Sequence, residues 1–168
     1  MTTDELHGQI KRHTEDVAGL LLAQNLSLAT AESCTGGWIA KVLTDLAGSS
    51  AWFERGFVTY SNQAKMDQLA IKESMLIEHG AVSEAVVLAM AEGVLSHSLA
   101  DVALAVSGIA GPGGGSEEKP VGRVWLAWSQ KNHPSIARLY HFDGDREAVR
   151  AQSVVQALQG VRELLRRA

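Results

Sequence analysis

The chain has 168 residues, of which 46% are hydrophobic and 20% charged, and a formal net charge of −4. This is the composition of an ordinary soluble domain with enough apolar residues for a sizeable core, and its acidic balance speaks against binding a nucleic-acid backbone, which needs a basic surface. One cysteine excludes an internal disulfide framework, and six scattered histidines with no pair at helical spacing give no metal site.

Met1 to Gln9 is polar and lacks the apolar core of a signal peptide, and no apolar run approaches membrane-spanning length. These features lead to the expectation of one cytoplasmic domain over residues 1–168. Thr2 and Glu5 have capping-box spacing, and Leu6, Ile10, Val17 and Leu21 predict an amphipathic helix to about Ala23. Leu26 to Glu32 reads as a short buried strand. After Gly36-Gly37, the apolar residues Trp38, Ile39, Val42, Leu43 and Leu46 predict a second helix, closed by Gly48-Ser49-Ser50.

Phe53 to Ser61 carries strand formers, and Asn62 to about Leu69 suits a helix. Ser74 to His79 predicts a short helix stopped by Gly80, and Ser83 starts another, with Val86, Val87, Met90 and Val94 on one side. Val102 to Val106 is a compact apolar run of the kind found in central strands. Val121 to Ser129 and Ile136 to Phe142 predict a hairpin around Asn132-His133-Pro134. Asp143-Gly144-Asp145 then opens a long final helix, whose basic residues Arg162, Arg166 and Arg167 suit its negative C-terminal end. The order predicts a layered α/β domain with a mostly parallel sheet, a late antiparallel hairpin and a long C-terminal helix.

Two stretches concentrate chemistry. In Thr30-Ala31-Glu32-Ser33-Cys34-Thr35-Gly36-Gly37, hydroxyls, a thiol, a carboxylate and a glycine pair meet at a strand-to-helix junction. Ser33 reads either as a helix cap or as a nucleophile awaiting a base. Cys34 reads as a rival nucleophile or, in the usual fate of a lone cysteine, a small buried residue. Lys65, if desolvated without a carboxylate, could take a serine proton, with Tyr60 orienting it or relaying the proton; the plain alternative is an edge tyrosine and a solvated lysine. The second stretch, Ser107 to Gly115, is a glycine-rich loop after an apolar strand. It lacks the Lys-Ser/Thr of a phosphate-binding P-loop and precedes a strand, so an anion cradle or a plain connection remains. Arg146 lies in a first helical turn, where the dipole disfavours a cation; an anionic ligand or pairing with Asp143 would account for it.

Taken together, Ala31 to Gly37, Gly56-Phe57-Val58-Thr59-Tyr60-Ser61-Asn62, Lys65, Gly80-Ala81-Val82-Ser83, Ser107 to Pro112 and Gly144-Asp145-Arg146 resemble the C-terminal domain of the competence/damage-inducible protein CinA, over roughly Leu6 to Leu165. More narrowly, the chain is similar to the stand-alone nicotinamide-nucleotide amidohydrolases of that family. The family's molybdopterin-binding-like second domain is expected to be absent.

The resemblance implies hydrolysis of nicotinamide mononucleotide to nicotinic acid mononucleotide and ammonia, a salvage step toward NAD, without metal or organic cofactor. It implies catalysis by Ser33, Tyr60 and Lys65 and substrate binding by Thr35, Gly36, Ser107, Gly108 and Arg146, with Ser107 standing where many members carry threonine. N–H groups near Cys34 to Gly37 would hold the oxyanion. The nucleotide is the expected partner, with no nucleic acid and no membrane, and a homodimer is expected by analogy. The rival class is a non-catalytic nucleotide-binding or interaction module on the same fold, which the intact Ser33, Tyr60 and Lys65 set argues against.

Overall fold

The computed structural model describes residues 1–167. Helix α1 (Thr3–Gln24) begins with the expected capping box, in which the Thr2 hydroxyl accepts from the Glu5 N–H and the Glu5 carboxylate accepts from the Thr2 N–H. It ends at Asn25 in the left-handed region, and the Leu26 N–H still bonds back to the Leu21 carbonyl. For that reason strand β1 spans Leu28–Glu32 rather than starting at Leu26.

Helix α2 (Trp38–Thr44) and a 3-10 turn (Ser49–Ala51) lead to strand β2 (Phe53–Val58). Ser61 caps helix α3 (Asn62–Leu69), so β2 stops short of the expected Ser61. Helix α4 (Glu73–His79) ends at Gly80, and Ser83 caps helix α5 (Glu84–Ser96). Strand β3 (Val102–Gly108) runs two residues beyond expectation, because Ser107 and Gly108 pair opposite Trp125 and Val124. Strand β4 (Arg123–Gln130) and strand β5 (Ile136–His141) form the expected hairpin, and Asp145 caps the final helix α6 (Arg146–Arg166).

The sheet order is β2-β1-β3-β4-β5. β1 pairs in parallel with β2 and β3, while β4 is antiparallel to both β3 and β5. Only β4 therefore runs against the others, and the sheet is mostly parallel, as expected.

Side chains alternate across the pleat. Leu28, Val102, Leu104, Val106, Leu126 and Trp128 face α1 and α6 in one apolar core. Ala29, Ala31, Ala103, Ala105 and Ala127 face α5 in a second. With both sheet faces covered, the central strands read as unbroken apolar runs. The alanine face lets α5 lie close to the sheet, and Gly93 lets it lie close to the end of α3, since a Cβ there would come within 2.7 Å of the Leu69 carbonyl. Among the described residues, no helix is long and apolar enough to cross a membrane.

Candidate active site

The C-terminal ends of three parallel strands meet at one cavity of about 290 Å³. β1 delivers Ser33 and Cys34, the segment after β2 delivers Tyr60 and Lys65, and β3 delivers Ser107, Gly108 and the glycine-rich loop. β1 lies between β2 and β3, so successive connections leave it on opposite sides. That is where open α/β sheets form ligand crevices.

Ser33 and Lys65 are in direct contact. Lys65 Nζ is 3.1 Å from Ser33 Oγ and also donates to the Thr59 carbonyl at 2.8 Å. Lys65 is 1% exposed, and no carboxylate pairs with it among the described residues. Burial therefore pushes its pKa below the ordinary lysine value, with only the neighbouring Cys34 acting the other way. The solvated-lysine alternative does not hold. Ser33 is itself buried, and its N–H bonds to the Val106 carbonyl, so the end of β1 fixes its backbone.

Tyr60 meets this pair through its backbone. Its carbonyl is 3.5 Å from both Ser33 Oγ and Lys65 Nζ. Its side chain is 61% exposed, and its hydroxyl accepts from Arg146 Nη2 at 3.2 Å. A proton relay from the phenol to Lys65 is thus not the arrangement present. Arg146 also donates from Nη1 to the Gly111 carbonyl at 2.8 Å, and no acid pairs with it among the described residues. The Asp143 alternative is not realised.

Glu32, immediately before Ser33, points into the start of α2. Its carboxylate accepts from the Thr35 hydroxyl at 2.7 Å, the Ile39 N–H at 2.8 Å and the Ala40 N–H at 3.0 Å. Burial raises its pKa, and these bonds oppose that rise. Glu32 thus caps the helix and occupies its positive end.

This changes two expectations. The fully buried Thr35 hydroxyl serves Glu32 and does not line the cavity. The Gly36 N–H bonds to the Ser33 carbonyl, and the Trp38 N–H to the Thr35 carbonyl. Gly36 and Gly37, at φ 61° and 103°, shape the turn rather than flooring an oxyanion site. The Gly37 N–H is turned to the Glu32 carboxylate, which leaves the N–H groups of Cys34 and Thr35 as the turn's remaining donors. Cys34 is buried, and desolvation pushes its thiol up to about 11, so it stays protonated.

At the third strand end, Ser107 Oγ donates to the Ala81 carbonyl at 2.8 Å, so its hydroxyl ties β3 to the segment before α5. Gly108 leaves no room for a side chain, since a Cβ there would come within 2.6 Å of Val124.

Sequence reasoning gave no role to Glu32, Asn62 or Arg150. Asn62, the first residue of α3, lines the cavity. Arg150, one helical turn after Arg146, donates to the Cys34 and Thr35 carbonyls, each at 3.1 Å. The spacing of four between the two arginines was the available signal, because it puts both on one helix face.

Comparison with known proteins gives the family and the fold. Residues 10–165 match the CinA C-terminal domain. The chain is 56% identical over 151 residues to the nicotinamide-nucleotide amidohydrolase PncC of Escherichia coli, covering 90% of this chain and 92% of that protein. It is 54% identical over 140 residues to the protein of the same name from Pseudomonas putida, covering 83% and 87%. The crystal structure of competence/damage inducible protein CihA from Agrobacterium tumefaciens superposes with a TM-score of 0.91 at 44% identity, covering 94% and 96% of the two chains. The chain belongs to the CinA C-terminal domain family.

Proposed function

We propose that this protein is a nicotinamide-nucleotide amidohydrolase, converting nicotinamide mononucleotide and water into nicotinic acid mononucleotide and ammonia. The observation that carries the reading is the buried Lys65–Ser33 hydrogen bond, with no carboxylate among the described residues to hold the lysine charged. A neutral amine in that position accepts the serine proton, which an ordinary lysine with a pKa of about 10.4 could not do at neutral pH. The names of the relatives support the substrate.

Ser33 Oγ attacks the carboxamide carbon as Lys65 takes its proton. The tetrahedral oxyanion is met by N–H donors of the turn after Ser33, each such donor being worth about 3 kcal/mol. The proton passes from Lys65 to the amide nitrogen, and ammonia leaves. Water then adds to the Ser33 ester, giving its proton to Lys65, and the ester bond breaks to release the acid and restore the serine. Side chains and water suffice for every step. Arg146, across the cavity mouth and paired with no acid among the described residues, receives the phosphate, and that binding energy positions the amide against Ser33. The family reading also carries a homodimer, which the native mass in solution tests.

The deciding experiment incubates the purified chain with nicotinamide mononucleotide and follows ammonia together with the product acid. Turnover that disappears in Ser33→Ala supports the reading. Folded protein that produces no ammonia would leave a non-catalytic nucleotide-binding module instead.

A further inference from the structure

Helix α6 is docked by a long apolar face: Val149, Val154, Leu158, Val161 and Leu165 are all buried. Its first two turns carry two arginines that do not contribute to that face. Arg146 reaches Tyr60 and Gly111. Arg150 reaches the turn that holds the candidate nucleophile. Its Nε donates to the Cys34 carbonyl and its Nη2 to the Thr35 carbonyl. The guanidinium also lies over the Trp38 ring, 5.6 Å from the ring centre, and Nη1 is 4.0 Å from Glu147. A planar fork gripped at its edges and on its face has one orientation, and a lysine ammonium could not reproduce that grip.

We infer that Arg150 is a positioning residue for catalysis at Ser33: by holding the Cys34 and Thr35 carbonyls, it sets the peptide planes that immediately follow the nucleophile. This rests on the reading of Ser33 as nucleophile. In a trans peptide the C=O and the next N–H point in opposite directions. Drawing the Cys34 carbonyl toward Arg150 therefore turns the Thr35 N–H away from it, and drawing the Thr35 carbonyl does the same to the Gly36 N–H, which meets the Ser33 carbonyl. Gly36 and Gly37, both at positive φ, leave this turn with a soft backbone. Glu32 holds the Thr35 hydroxyl and β3 holds the Ser33 N–H, and the two bonds from Arg150 add the hold on the Cys34 and Thr35 carbonyls. α6 keeps its apolar anchorage without them.

The test uses Arg150→Ala and Arg150→Lys in the full chain, with two readouts. The first is turnover of nicotinamide mononucleotide. Both variants are expected to lose kcat by on the order of a hundredfold, the effect of a small misplacement of reacting groups, while KM stays close to the wild-type value. Millimolar guanidinium should restore kcat in Arg150→Ala and not in Arg150→Lys. The second readout is independent of activity. Cys34 is the chain's single cysteine and is 7% exposed, so labelling by dithionitrobenzoate reports order in this turn. Labelling should accelerate in Arg150→Ala and slow again with guanidinium, at an unchanged melting temperature. Unchanged kcat and labelling in both variants overturn the inference. So does a loss of kcat that guanidinium does not restore and that tracks a fall in melting temperature, since that is a purely structural role. If the wild type shows no turnover but labelling responds as described, the reading of Ser33 falls and the positioning of the turn by Arg150 stands.

Discussion

Lys65 donates to Ser33 across 32 positions of chain, and it does so from a site where its own charge is unwelcome. The consequence for stability has a definite sign. Between the lowered folded pKa of Lys65 and the unfolded value near 10.5, the unfolded chain holds a proton that the folded chain has released. Stability therefore rises with pH across that window and falls as pH drops through the folded pKa. Lys65→Met removes this dependence. The melting temperature of the wild type relative to Lys65→Met should climb from neutral to alkaline pH, and kcat/KM should rise over the same range. A flat difference in melting temperature would mean that the lysine is not held away from its proton.

Arg146 and Tyr60 predict a split between binding and chemistry. Arg146→Ala should raise KM roughly tenfold or more, the value of a charge-assisted hydrogen bond, with a smaller loss in kcat. Tyr60→Phe removes the hydroxyl that steadies Arg146 and should act in the same direction. Steady-state kinetics on both variants decide this, and a collapse of kcat at constant KM in Tyr60→Phe would restore the phenol as a proton relay.

Cys34 and Ser33 are adjacent, yet their environments differ. With its thiol raised to about 11, Cys34 has almost no thiolate at neutral pH. Cys34→Ser should keep turnover at a stability cost of about 1 kcal/mol, whereas Ser33→Ala should lose turnover. The opposite pattern would make the thiol the nucleophile.

Glu32→Gln swaps a carboxylate oxygen for an amide that donates, toward a helix end that also donates. One of the Thr35, Ile39 and Ala40 donors then goes without an acceptor. Denaturant unfolding should show a loss of about 1–3 kcal/mol, and kcat should drop because Ser33 follows directly in the chain. An unperturbed melting curve would show that α2 needs no such cap.

Much of the architecture was legible because it is written in local patterns. The helix starts at Thr2, Ser83 and Asp145 rest on short-range hydrogen bonds between residues three apart, whereas Ser61, which makes the same kind of bond, reads in the sequence as the end of a strand. The strand alternation of β3 follows the pleat. The partners of Glu32 and Arg150 were not legible in the same way. Glu32 bonds to residues seven and eight positions on, and Arg150 to carbonyls more than a hundred positions back. Backbone carbonyls carry no residue identity, so a side chain aimed at them leaves no pairing signal in the sequence. Thr35 and Gly36 were expected at the substrate for the same reason, since nothing in their identity reveals that the hydroxyl and the N–H are already engaged inside the turn.

Gly160 tests the packing of α6. A Cβ there would lie 2.1 Å from the Trp128 ring, whose indole N–H is tied to the Ala157 carbonyl. Gly160→Ala should destabilise by about 1–3 kcal/mol through overpacking, read as a lower denaturation midpoint. A neutral result would mean that the tryptophan can slide along the helix.

Helix α6 follows in the chain every segment that its two arginines tie together. As a nascent chain emerges, β1, β2, β3 and their loops are made well before Arg146 and Arg150 exist. The sheet can begin to pair during that interval, and Lys65 can meet Ser33, but the carbonyls of Cys34, Thr35 and Gly111 still lack their arginine donors. Competence to act on substrate therefore arrives late in synthesis, with the docking of a helix that touches none of the reacting atoms through its apolar face.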